Sequence, residues 1–352
     1  MFTVGKRRST RWRPTPCSPP RARFLPKRRS PATLRRKRQQ LQRHRMRKPY
    51  AALVLLVSLL AATPRAEAMP KVETVPLPFE QEAWLTTSTA VPVVHLIISV
   101  EGAGSASDGD GTQGLATLSA AMLTQGAGPL DAQRFQQALE SDAISLSARA
   151  EDDRLIVELY ALREHAARAA ELLTLALTQP RIDAAAFERV RERQRSALKQ
   201  SEESPNYRAD RLFSERAFDR HPYAWSSLGT ETSLATLTPD AVRRFLSQRL
   251  ARDRLLITAA GDIDGKTLSA MLTPLLEALP AKAVPLEIAD ARMEGAGVTV
   301  NAPMDNAQTV VLFGAPGIAR NDPSYYAFSM LEHILGGGTL VSRLAQSVRK
   351  DK

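Results

Sequence analysis

Ile144-Ser145-Leu146-Ser147-Ala148-Arg149-Ala150 and Arg154-Leu155-Ile156-Val157-Glu158-Leu159-Tyr160, joined by the acidic turn Glu151-Asp152-Asp153, decide the fold. Apolar and polar side chains alternate through both runs, as in strands with one buried face, and so short a connection makes the pair antiparallel. Before the hairpin, Pro92 to Val100 reads as a largely buried strand and Gly102 to Gly114 as a flexible loop. Gly114 to Leu123 reads as a helix stopped by Gly126 and Gly128, and Asp131 to Glu140 as a second helix with Asp131 at its N-cap. After the hairpin, helices are expected at His165 to Leu177, Asp183 to Gln200 and Tyr207 to Phe218. A strand at Leu255 to Ala260 and a helix at Lys266 to Leu279, ended by Pro280, complete this part, while Val72 to Leu85 reads as a polar, irregular opening. Strands and helices do not alternate regularly as in a doubly wound sheet, so the fold class is α+β with a mainly antiparallel sheet.

Beyond a Pro- and Ala-containing linker at 281–295, the order begins again. Strands are expected at Val298 to Val300 and Gln308 to Phe313, a helix at Pro323 to Leu335 stopped by Gly336-Gly337-Gly338, and another helix from Thr339 to Arg349. The run Ala121-Met122-Leu123 before Gly126 has its counterpart in His333-Ile334-Leu335 before Gly336, which predicts two copies of one α+β unit with the second cut short. The expected organisation is a basic segment at 1–45, a signal peptide at 46–68, a first domain at 69–280, the linker, and a partial second domain at 296–352.

The 48 Lys and Arg against 37 Asp and Glu give a net charge of +11, but residues 1–48 hold 18 basic residues and no acidic one. The remainder carries 30 basic and 37 acidic residues, a net charge of −7. Behind Met46, Arg47 and Lys48 precede an apolar run from Ala51 to Ala62 and a small-x-small site at Ala66-Glu67-Ala68, which reads as a secretory signal. The run is shorter than the roughly 20 residues that cross a bilayer, so no stable membrane span is expected after cleavage, and the protein is expected in the periplasm or outside the cell. No nucleic-acid-binding module accompanies the basic arm, and nucleic acid is not an expected partner. The single cysteine, Cys17, excludes an internal disulfide, an iron–sulfur cluster or a cysteine-rich zinc module.

Several local patterns occur together in order. They are Gly114-Leu115-Ala116 opening a helix, Phe187-Glu188-Arg189 leading a charged helix that ends near Glu203-Ser204-Pro205, His221-Pro222-Tyr223, Leu228-Gly229-Thr230-Glu231, Leu237-Thr238 and Gly261-Asp262-Ile263. In the second copy, Gly314-Ala315-Pro316-Gly317-Ile318-Ala319-Arg320, Asp322-Pro323, Tyr325-Tyr326, Ile334-Leu335-Gly336-Gly337-Gly338 and Ser342-Arg343-Leu344 continue the series. In this order and spacing the chain resembles the insulinase or pitrilysin type of zinc metallopeptidase, the family that includes mitochondrial processing peptidase. The resemblance implies two homologous metallopeptidase-like α/β sandwich units with mainly antiparallel sheets.

Active members of that family carry H-x-x-E-H on the helix after the Gly-Leu-Ala element. Residues four apart share a helix face, so two imidazoles can grip one Zn²⁺ while the Glu activates its water. The resemblance places the two His at Thr117 and Ala121, the Glu at Ala120, the third ligand at Ala197 and a supporting Glu at Val190. None of the five side chains can bind zinc or act as a base, so no catalytic residue, metal or cofactor is expected in this chain. The five histidines lie at least 51 residues apart in sequence, and Ser329 stands where a first ligand would precede Glu332-His333. Asp108-Gly109-Asp110-Gly111 lacks the remaining ligands of a calcium loop and reads as a flexible acidic loop. Gly336-Gly337-Gly338, without a following Lys-Ser/Thr, is not a phosphate cradle.

Family members enclose an extended peptide between two halves, and zinc is needed in only one. The zinc-free half often contributes an Arg followed seven residues later by a Tyr, and the register of Ser342-Arg343-Leu344 places that Arg at Arg349 as a substrate-binding residue. The resemblance thus implies a non-catalytic subunit that binds extended peptides and pairs with a zinc-bearing homologue. The alternatives are a structural scaffold without a peptide role, a truncated product without stable function, and an active metalloendopeptidase with a displaced site.

Overall fold

Nine consecutive residues, Val93–Glu101, form the central strand β3 of a six-stranded sheet, and every second side chain of it, from Val94 to Val100, is buried. The computed structural model describes residues 71–305, 309–337 and 341–350. The hairpin of the sequence reading is present as β4 (Ser145–Ala150) and β5 (Arg154–Leu162), paired antiparallel from Ser145 opposite Tyr160 to Ala150 opposite Leu155. β5 pairs in turn with β3, and β3 with β6 (Leu255–Gly261), both antiparallel.

Val72 to Leu85 is not the irregular stretch expected. It forms β1 (Glu73–Pro76) and β2 (Glu82–Thr87), which pair with each other antiparallel. β2 then runs parallel to β6, with Ala83 opposite Ile257, so the sheet order is β1-β2-β6-β3-β5-β4. The sheet is mainly antiparallel with one parallel pair, and the α+β reading holds.

Helices cover the sheet face that carries Leu85, Leu96, Ile98, Leu155, Leu159 and Ile257. They are α1 (Leu115–Met122), α2 (Ala132–Ser141), α3 (Ala166–Thr178), α4 (Ala184–Glu202), α6 (Glu231–Thr236), α7 (Pro239–Arg249) and α8 (Gly265–Ala278), while α5 (Pro205–Phe218) packs on α4. Asp131 caps α2 as expected, its carboxylate accepting from Arg134 N at 2.9 Å. The alternate side chains, among them Trp84, His95 and Tyr160, lie on the opposite face, where Trp84 and Tyr160 are exposed.

The second copy differs from expectation. Residues 281–295 have no regular secondary structure, and Val298 to Val300 and residues 309–313 form no strand; Gln308 lies outside the described residues. Their β-branched and aromatic side chains favour a strand, yet a strand needs a neighbour, and none of the described residues pairs with them. The helix expected to stop at Gly336 is α9 (Tyr325–Glu332), which passes without a stop into a π-helical turn, His333–Gly337. The last expected helix appears as a short turn, Arg343–Ala345, and a π-helical turn, Gln346–Lys350; Thr339 and Leu340 lie outside the described residues, as do Gly338 and the segments 1–45 and 46–68.

The core therefore sits between one sheet and its helices, with β3 at its centre. Leu96, fully buried, should on truncation to Ala lower the unfolding free energy by about 2–5 kcal/mol, measured by urea denaturation followed by circular dichroism.

Candidate functional site

α1 packs against β4 and α4, so the positions assigned to a zinc site fall on two neighbouring helices beside the edge of the sheet. Thr117 is half-buried and donates its Oγ1 hydrogen to Ser227 O at 2.6 Å. Ala120 is buried at 1% exposure and Val190 at 2%, while Ala121 and Ala197 are half-buried. The hydroxyl of Thr117 is committed to a carbonyl, and the other four side chains have no lone pair to offer. The donor set does not fit zinc. Among the described residues no three His, Cys, Asp or Glu side chains gather to hold an ion.

The histidines are used singly. His221 accepts from Tyr223 N through Nδ1 at 3.2 Å, which leaves Nε2 to donate to Ala289 O at 2.8 Å. His95 lies against the Tyr160 ring, and His165 sits 3.9 Å from Asp142. His333 is exposed on the π-helical turn, and Arg349 is exposed on the last one.

Two of the patterns that carried the resemblance, Gly114-Leu115-Ala116 and Leu228-Gly229-Thr230-Glu231, meet at the head of α1. Gly114 and Gly229 both have positive φ, +88° and +86°, and the backbones cross where they stand. A Cβ at Gly229 would lie 2.4 Å from Gln113 O, and one at Gly114 would lie 2.8 Å from Leu228 O, so only glycine fits either place. Thr230 caps α6 in a reciprocal box with Ser233. Tyr223 donates its hydroxyl to Asp153 at 2.6 Å, which pushes the phenol up to about 12.

Two residues at this site escaped the sequence reading. Asp108 does not belong to a flexible acidic loop. It is 5% exposed, and its carboxylate accepts from Gly114 N at 2.8 Å and Ala116 N at 2.9 Å, closing the head of α1. The loop around it is tied to the β4–β5 turn by Gly102 N to Asp153 O and Ser105 N to Glu151 O, each at 2.8 Å. Burial raises the Asp108 pKa from 3.8 to about 7, against the backbone donors of Ala116, Gly114 and Leu115, which favour the charged form. Gln194 is the second. It stands in register with Phe187, Val190 and Leu198 on the buried stripe of α4, and a lone amide in such a stripe was the available signal.

The edge of the sheet next to α1 is open. Glu151 N donates to Arg154 O at 2.8 Å, which makes Glu151 and Arg154 a hydrogen-bonded pair and sets the alternation along the hairpin. Arg149 with Ile156 and Ser147 with Glu158 follow as bonded pairs, so the main chain of Leu146, Ala148 and Ala150 faces away from β5. β4 has no strand on that side among the described residues.

The family model described as Insulinase (Peptidase family M16) matches residues 85–231, and that described as Peptidase M16 inactive domain matches residues 236–352. The chain belongs to the insulinase family of peptidases, M16. It is 28% identical over 263 residues to a Helicobacter pylori protein named Non-peptidase homolog YmxG, covering 74% of this chain and 60% of that protein. An uncharacterized zinc protease of Streptomyces coelicolor is 30% identical over 158 residues, 43% of this chain and 34% of the relative. The chain thus spans 60% or less of these two relatives. Among solved structures, the peptidase M16 inactive domain from Pseudomonas fluorescens superposes with a TM-score of 0.68 at 23% identity, over 80% of this chain and 68% of that one. Pitrilysin superposes with a TM-score of 0.58 at 17% identity, over 65% and 25%. Both likenesses speak to the fold. Within this M16 chain the zinc motif is absent, and no helix of the described residues is long and apolar enough to cross a membrane.

Asp108 gives the site a pH dependence whose sign is fixed. Between 3.8 and about 7 the folded protein holds a proton that the unfolded chain has released, so stability falls as pH rises through that window and levels off above it. Asp108→Asn should be less stable in acid, having lost an acceptor for the head of α1, but its melting temperature should lack the downward slope between pH 5 and 7 that the unmodified protein shows by differential scanning fluorimetry.

Proposed function

We propose that this protein is a non-catalytic subunit of an insulinase-type peptidase, holding extended peptides and pairing with a zinc-bearing homologue. One observation carries the reading: Thr, Ala and Val occupy all five positions of the metal site, while the open edge β4 lies beside α1. A peptide added to β4 would bond to outward main-chain groups, which makes recognition tolerant of sequence. The partner supplies the zinc and the attacking water, and this chain supplies a strand template. Arg349 adds a cationic contact for the peptide. The name of the Helicobacter pylori relative, a non-peptidase homologue, supports the absence of catalysis. The organisation into domains at 69–280 and 296–352, and the periplasmic or secreted location read from the signal at 46–68, belong to the same proposal.

The test is reconstitution with a zinc-bearing homologue from the same genome. Adding the protein should raise cleavage of an unstructured peptide at least tenfold over the partner alone. Ala148→Pro, which removes an outward N–H from β4, should abolish most of that gain while leaving the circular dichroism spectrum unchanged. A complex that forms without any gain in cleavage would identify a structural scaffold instead. Zinc bound stoichiometrically by this chain alone would overturn the proposal outright.

A further inference from the structure

Three side chains on separate elements donate to main-chain carbonyls along one seam. Gln194, 6% exposed on α4, gives its Nε2 hydrogens to Gly114 O at the head of α1 and to Leu228 O in the loop before α6, each at 3.0 Å. Thr117 on α1 gives its hydroxyl to Ser227 O at 2.6 Å. Ser233 on α6 gives its own to Gln113 O at 2.7 Å. The seam joins the two helices on which the family would place its metal ligands. A metal held by ligands from both helices would tie them together, and this chain has no such ligands.

We infer that Gln194 is the positioning residue that braces α1 against α4 and residues 227–229 without a metal, so that the helix beside the β4 edge is fixed by a side-chain amide. The competing explanation is that Gln194 only fills space in the stripe of Phe187, Val190 and Leu198. Its hydrogen bonds argue otherwise. Its Oε1 finds no donor among the described residues, and an unpaired buried acceptor opposes folding, so a Met or Leu would suit a filler better. What Gln194 provides, and an apolar residue of its size does not, is the pair of donors that reach two chain segments 80 and 34 residues away. Gly114 O lies at the start of α1, where the Asp108 carboxylate also binds the Gly114 and Ala116 amides, so the first turn is gripped through its donors and its acceptor.

The experiment is amide hydrogen exchange on the full chain, comparing the unmodified protein with Gln194→Met, which keeps the volume and removes the donors. Local opening of the amides of Gly114, Ala116 and Leu118 should rise roughly 10- to 100-fold, while the amides of β3 and β5 exchange as before. Thr117→Val, which removes one donor from the same seam, should show a smaller rise at the same amides. Neither EDTA nor added zinc should move the melting temperature of the unmodified protein. Unchanged exchange in Gln194→Met would reduce the residue to a filler and overturn the inference. Should that variant not fold, unchanged exchange in Gln194→Glu, which keeps the shape and removes the two amide donors, would overturn it equally. A melting temperature lowered by EDTA would overturn it as well, because a metal would then be the brace.

Discussion

The crossing of two glycine-bearing stretches of backbone at the head of α1 is the constraint on which the neighbourhood depends. Residues 113–114 and 228–229 approach so closely that no side chain fits at Gly114 or Gly229. Main-chain carbonyls brought that near each other repel unless donors reach them, and a helix terminus adds unpaired amides. The polar residues nearby serve those needs. Gln194, Thr117 and Ser233 donate to the carbonyls, and Asp108 accepts from the amides. α1, whose head this junction fixes, packs in turn against β4.

The loss of metal chemistry and the presence of the seam are linked through Thr117. Its hydroxyl bonds within its own chain, to Ser227 O, and is not free for an ion or a substrate. Val190 and Ala120 are packed in the core, so two of the places assigned to carboxylates are filled with apolar contact. Asp108 shows the opposite balance. It is a buried carboxylate that accepts from two backbone amides, Gly114 N and Ala116 N, while burial drives its pKa upward.

Legibility followed the range of the interactions. The β4–β5 hairpin could be read because its alternation and turn are local, and Asp131 could be placed because its partner is three residues away. β1 and β2 were missed because Pro76, Pro78 and scattered charges mask the pattern, and because the pairing of Ala83 with Ile257 spans most of the domain. Residues 298–300 and 309–313 failed in the other direction: propensity was present and a partner was not. At the site, the resemblance assigns positions 117, 120, 121, 190 and 197, and the side chains there, Thr, Ala and Val, are not zinc ligands. Asp108 was lost in an Asp-Gly-Asp-Gly stretch that looks solvated, and only the docking of that loop on the β4–β5 turn buries it.

Under the proposed function, peptide capture and peptide cleavage make different demands on such a scaffold. Cleavage needs particular atoms on five side chains, and any apolar replacement removes it. Strand addition needs a straight edge with outward N–H and C=O groups, which Leu146, Ala148 and Ala150 supply whatever their side chains. In the proposed function α1 has a mechanical part only: it packs against β4, and the Gln194 amide ties its head to Leu228 O without any ion.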